Sequence, residues 1–140
     1  MALTFRSYKG AELILEGDSA VEGGHSEYVR SFFDRSKLVC LGDPTVFSVV
    51  ALTRRQLNVC EQLPAGSMRY GMALALSLRE VTGLTVSRDG VEQPAPPIKR
   101  SSYGDQMVVD DSWFEDVAIP TQALAELGEY VFRLSSPDPT

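Results

Sequence analysis

The chain has 140 residues, 44% hydrophobic and 23% charged, so it is long enough to bury one core and too apolar for wholesale disorder. Its formal net charge of −6 opposes long-range attraction to nucleic acid or to an anionic membrane surface. One histidine and two cysteines are too few ligands for the usual zinc sites, and the longest apolar stretch, residues 72–78, is too short to span a bilayer.

The chain opens with two short β-type runs, residues 3–6 and 12–15, joined through Tyr8-Lys9-Gly10, where the glycine suits a hairpin turn. A glycine-rich loop, 17–24, follows. Ser26 is then placed to cap a short helix in which Tyr28 and Phe32, and Val29 and Phe33, are spaced i,i+4. Residues 37–41 and 45–50 are apolar and β-branched around Gly42-Asp43-Pro44, the clearest hairpin pattern in the chain. Thr53 and Gln56 match a capping box, opening a helix that turns Leu57 and Cys60 inward and stops at Pro64.

Residues 67–82 read as one helix, ended by Gly83. Tyr70, Leu74, Leu78 and Val81 line one face and Met68, Met72 and Leu76 the opposite one. Such a helix must be covered on two sides, as a central core element or with its second face on another chain. Gly71, Ala73 and Ala75 are small enough for a neighbouring backbone to come close.

Residues 85–88 and 91–93 flank Asp89-Gly90, a two-residue hairpin signal. With Pro94, Pro96 and Pro97, residues 94–105 read as a long mobile loop, after which 106–109 return as a strand. Residues 110–116 form a helical turn with acids near its positive end. Residues 121–134 form an amphipathic helix with a stripe of Leu124, Leu127, Val131 and Leu134, and with Glu129 and Arg133 spaced to pair on the wet face. Residues 135–140 are a frayed tail. The expectation is an α+β fold in a single domain over residues 1–140, short β-hairpins packed with four to five helices.

Chemistry is thinly represented. The block Leu13-Ile14-Leu15-Glu16-Gly17-Asp18-Ser19 resembles the first block of the GDSL-type esterases, in which Ser19 would be the nucleophile. That family's late Asp-x-x-His and its Gly-x-Asn-Asp block are missing, and the only imidazole is His25, six residues after Ser19. No enzyme activity is therefore expected, with a small serine hydrolase kept as an alternative. Asp110, Asp111, Glu115 and Asp116 form the densest acid cluster, but their spacing lacks the pattern of a calcium loop and reads as a solvated helix start. No phosphate loop or dinucleotide fingerprint occurs, so no cofactor and no metal are expected. Cys40 and Cys60 lie in separate apolar stretches and read as buried reduced thiols, with a disulfide between them as the alternative. The start shows no basic region followed by an apolar core, so no secretory signal is expected.

Protein contact is the remaining class. The candidate contact residues are Phe32 and Phe33, Met68, Met72 and Leu76 on the second helix face, Trp113 and Phe114 among acids, and the basic pair Lys99 and Arg100.

From residue 44 to 134 the order of elements follows a pattern. A strand ends in Val49-Val50-Ala51-Leu52-Thr53, Arg54-Arg55-Gln56-Leu57 follows, and a helix rich in small residues leads to a polar hairpin. An acidic-aromatic turn then precedes Ile119-Pro120-Thr121-Gln122-Ala123-Leu124-Ala125-Glu126-Leu127. This is similar to small tailed-bacteriophage morphogenesis proteins of the tail-assembly-chaperone type. The resemblance implies a non-enzymatic assembly or virion protein, oligomeric with itself or with other phage proteins, in the virion or the host cytoplasm. The acidic charge and the short apolar stretches add the expectation of no membrane and no direct nucleic-acid contact. Residues 1–43 depart from the pattern and would suit a collar, connector or minor tail component. A bacterial interaction or regulatory module is the other non-enzymatic alternative.

Overall fold

The central strand of the fold, β3 (Val46–Val50), buries Val46, Phe47 and Val49, the bulky and β-branched residues that pack well on a pleated surface. The computed structural model describes residues 10–15, 32–34 and 41–135, with the backbone alone at 15 and 32–34. β3 pairs antiparallel with β1 (Gly10–Leu15) on one edge and with β4 (Leu78–Thr82) on the other, and β2 (Phe32–Asp34) extends the sheet beyond β1.

This arrangement corrects two expectations. Both edges of β3 are taken, so it has no edge left for residues 37–41; Leu41 lies in a bend with 72% of its surface exposed, and 37–40 are outside the described residues. Phe32 and Phe33 belong to a strand rather than to the end of a helix. The run at 3–6, the loop at 17–24, the start of that helix at 26–31 and the tail at 136–140 lie outside the described residues.

The expected helix over 67–82 is two elements, α2 (Ser67–Ser77) and β4. At Leu78 the backbone turns extended, φ −68° and ψ 122°, while its N–H still donates to the Leu74 carbonyl. A longer helix would leave one edge of β3 without partners; the strand instead pairs Thr82 with Val46 and Leu78 with Val49. Fully buried Ser77 fastens the junction, where its hydroxyl accepts from the Val50 N–H at 3.1 Å and donates to the Val50 carbonyl. Gly83 therefore ends a strand rather than a helix. Its φ is +74°, and an added Cβ would stand 2.9 Å from the Pro44 carbonyl oxygen.

α1 (Arg54–Glu61) carries both bonds of the capping box, Gln56 N–H to Thr53 Oγ1 at 3.2 Å and Thr53 N–H to Gln56 Oε1 at 2.9 Å. Past its end, the Arg69 guanidinium donates to the carbonyls of Glu61 and Leu63. α4 (Thr121–Ser135) lies along α2 and buries Ala123, Leu127, Gly128 and Val131. The two backbones touch: a Cβ on Gly128 would fall 1.8 Å from the Tyr70 carbonyl oxygen. Tyr70 and Phe132 meet edge to face, and Ser135 Oγ accepts from the Leu52 N–H at 2.7 Å. The expected Glu129–Arg133 pair is present at 2.6 Å.

Two hairpins complete the described fold. β5 (Thr85–Arg88) and β6 (Val91–Pro94) turn through Asp89 and Gly90, both at positive φ as a type I′ turn requires. β7 (Arg100–Tyr103) pairs with β8 (Gln106–Val109) around Gly104, φ +60°. The long loop expected at 94–105 is thus reduced to residues 95–99. Even that crossing is anchored, since Trp113 Nε1 donates to the Pro96 carbonyl at 2.9 Å. α3 (Asp111–Asp116) is capped by Asp110, whose carboxylate accepts from the Ser112 N–H. The architecture is α+β, and Leu13, Phe47, Leu74, Trp113 and Leu127 belong to one continuous apolar cluster. No helix among the described residues is long and apolar enough to cross a membrane.

Candidate functional site

α2 packs chiefly on α4 and also meets α1 and β8. Residues 73–77 are all buried, and the space beside the helix opens along its first half. Its α4 side is sealed by Leu127, Gly128 and Val131, whereas positions 68, 71, 72 and 75, spaced to share one stripe of a helix, line an open groove of about 520 Å³. The opposite wall is the β7–β8 hairpin, through Ser101, Ser102, Tyr103, Val108 and Val109. Leu63 borders the groove, and Asp110 and Asp111 at the start of α3 complete its lining.

The hairpin is held from both ends. At its root the Arg100 guanidinium donates to the carbonyls of Leu78 at 3.0 Å and Arg79 at 3.2 Å. At its tip Asp105 pairs with Arg55 at 3.0 Å, and the Gln56 amide reaches Gln106 at 3.4 Å. The tip pair is exposed and contributes on the order of 0–1 kcal/mol, so the root contacts and buried Val108 and Val109 fix the wall.

The groove lining is apolar at Met68, Met72, Tyr103, Val108 and Val109 and carries two adjacent acids, Asp110 and Asp111. Met68 and Tyr103 are 61% and 45% exposed, and Met72 is half-buried and packs against the core. A single exposed apolar side chain is ordinary, but two facing one groove beside a third form a continuous apolar lining. Asp110 is held below the usual carboxylate range by hydrogen bonds from the Ser112 hydroxyl and N–H and from the Ser101 hydroxyl, with Lys99 adding a smaller pull. It is therefore ionised at neutral pH.

The expected contact residues divide among different fates. Met68 and Met72 line the groove, while Leu76 is fully buried in the core. Trp113 and Phe114 are buried too, packed edge to face at 5.5 Å, so they belong to the apolar core rather than to a surface. Arg100 is engaged at the hairpin root; burial, and then the Arg79 charge, lower its pKa, although a guanidinium remains cationic. Lys99 is exposed, and its carbonyl accepts from the Asp110 N–H. The side chains of Phe32 and Phe33 lie outside the described residues.

Ser19, His25 and Cys40 are also outside the described residues. Cys60 is free and buried, and desolvation pushes its thiol up to about 11, so it is neutral and a poor nucleophile at neutral pH. Among the described residues no three His, Cys, Asp or Glu side chains converge as a metal site would require. Sequence reasoning misses the residues of the second wall. Ser101 to Tyr103 and the Gly104 turn follow a proline-rich stretch that reads as loop, and the Gly104-Asp105 pair is the signal that a hairpin stands there.

No family model matches the chain, no curated protein matches it, and no solved structure matches it.

Proposed function

We propose that this protein acts through protein–protein contact and not by catalysis, as an assembly or structural component of the tailed-bacteriophage kind. The observation that carries the reading is the groove between α2 and the β7–β8 hairpin, where Met68, Met72 and Tyr103 form an apolar lining left open by the described fold. Methionine suits such a surface because its unbranched, polarisable side chain adapts to an incoming partner. The phage setting rests on the sequence resemblance over residues 44–134. The acidic net charge fits a partner of protein rather than polyanionic character.

Sedimentation of the purified chain, together with capture from its native source, tests this reading. The expected result is an oligomer or a stable complex with a larger structural protein. A strict monomer at high concentration that captures no partner contradicts it.

A further inference from the structure

Resting on that interaction role, we propose that the groove receives a helical segment of another polypeptide, apolar along one face and carrying lysine or arginine at the end that meets Asp110 and Asp111. Three features of the groove lead to this occupant.

The first is Gly71. Glycine is among the poorest helix formers, yet Gly71 lies in the middle of α2. Packing within the described fold does not require it. An added Cβ would have no atom within 4 Å, whereas one on Gly128 would collide with backbone at 1.8 Å. What the missing side chain does at Gly71 is keep the groove floor low enough for another backbone to approach.

The second is the form of that floor. Gly71 and Ala75 are four residues apart on one stripe, with Met68 and Met72 beside them. Small residues at this spacing bring helix axes close, and flexible methionines fill the space around an incoming side chain. This is the surface that an amphipathic helix uses when it lies in a groove.

The third is charge. The two charged side chains in the lining, Asp110 and Asp111, are both acids and are adjacent in sequence. Asp111 is exposed and placed to meet a cation, while Lys99, which acts on Asp110, stands outside the lining. With a net charge of −6 behind them, these acids favour a basic end on the occupant and disfavour an acidic one.

The test uses the full chain and synthetic amphipathic peptides of about 20 residues, long enough to form helix. One carries lysines at one end of a leucine–alanine face, a second carries glutamates there, and a third is the lysine peptide with a central proline. Fluorescence anisotropy should give binding about tenfold tighter for the lysine peptide than for the glutamate peptide. Gly71→Leu, which fills the groove, should weaken it about tenfold with an unchanged or higher thermal midpoint, and Asp111→Lys should erase the lysine preference. Equal binding of the lysine and glutamate peptides overturns the proposal; if Gly71→Leu weakens both, the contact role itself survives. Equal binding of the proline peptide overturns it in favour of an extended segment. No binding by any peptide also overturns it, and self-association abolished by Gly71→Leu would then assign the groove to a second copy of the chain.

Discussion

The two sides of α2 handle a missing side chain in opposite ways. Towards α4, the glycine is on the neighbouring helix, at Gly128, and the absent Cβ lets that backbone rest on the Tyr70 carbonyl. Towards the β7–β8 hairpin, the glycine is on α2 itself, at Gly71, and the space it leaves stays open. A glycine within a helix is thus explained by what stands where its Cβ would be. One side of α2 is closed by α4, and the other, towards the β7–β8 hairpin, is left open beside Gly71 by the described residues.

Substitutions along α2 and its neighbours break or sharpen this contrast. The largest effect belongs to Gly128→Ala, because the new methyl would overlap backbone that cannot rotate away. Chemical denaturation should show a loss of about 3 kcal/mol, helix propensity notwithstanding. Ser77→Ala comes next: it strips the Val50 N–H of its acceptor at the helix-to-strand junction and should cost about 2 kcal/mol. Gly71→Ala should do the reverse and raise stability by about 1 kcal/mol, since the methyl enters free space and the helix gains propensity. A loss at position 71 would mean that the groove is filled by the chain's own atoms.

The smallest effect is in the pH dependence at Asp110. The Asp110 carboxyl has its pKa lowered in the folded state, chiefly by Ser112. Its contribution is therefore present above the unfolded value of about 3.9 and is lost as pH falls through the folded value. Stability curves of the wild type and Asp110→Asn should converge on acidification, and parallel curves would show that the cap carries no such linkage.

Local signals in the sequence are reliable where one element decides its own fate. The Thr53–Gln56 box, the Asp89-Gly90 turn and the amphipathic pattern of α4 each rest on neighbours in sequence, and each is present as expected. Residues 78–82 mislead because Leu78 and Val81, three apart, fit a helical stripe. A strand puts them on one side only through the register shift opposite Ser48 and Val49, and the choice is made by the open edge of β3, about thirty residues away. The groove is half legible. Met68 and Met72 mark one wall, but the other belongs to a hairpin whose strand β7 is masked by Pro94, Pro96 and Pro97. Gly71 reads as a place for close approach, while the approach that the fold itself makes is at Gly128.

Methyl-labelled methionine spectra offer the most direct measurement on the groove. Met68 and Met72 line it, whereas Met107, 54% exposed and partnered by Ser102 Oγ, is not part of the lining. On titration with the lysine-ended helical peptide, the Met68 and Met72 methyl signals should shift together and saturate while Met107 stays in place. A shift at Met107 with none at Met68 and Met72 would contradict the account.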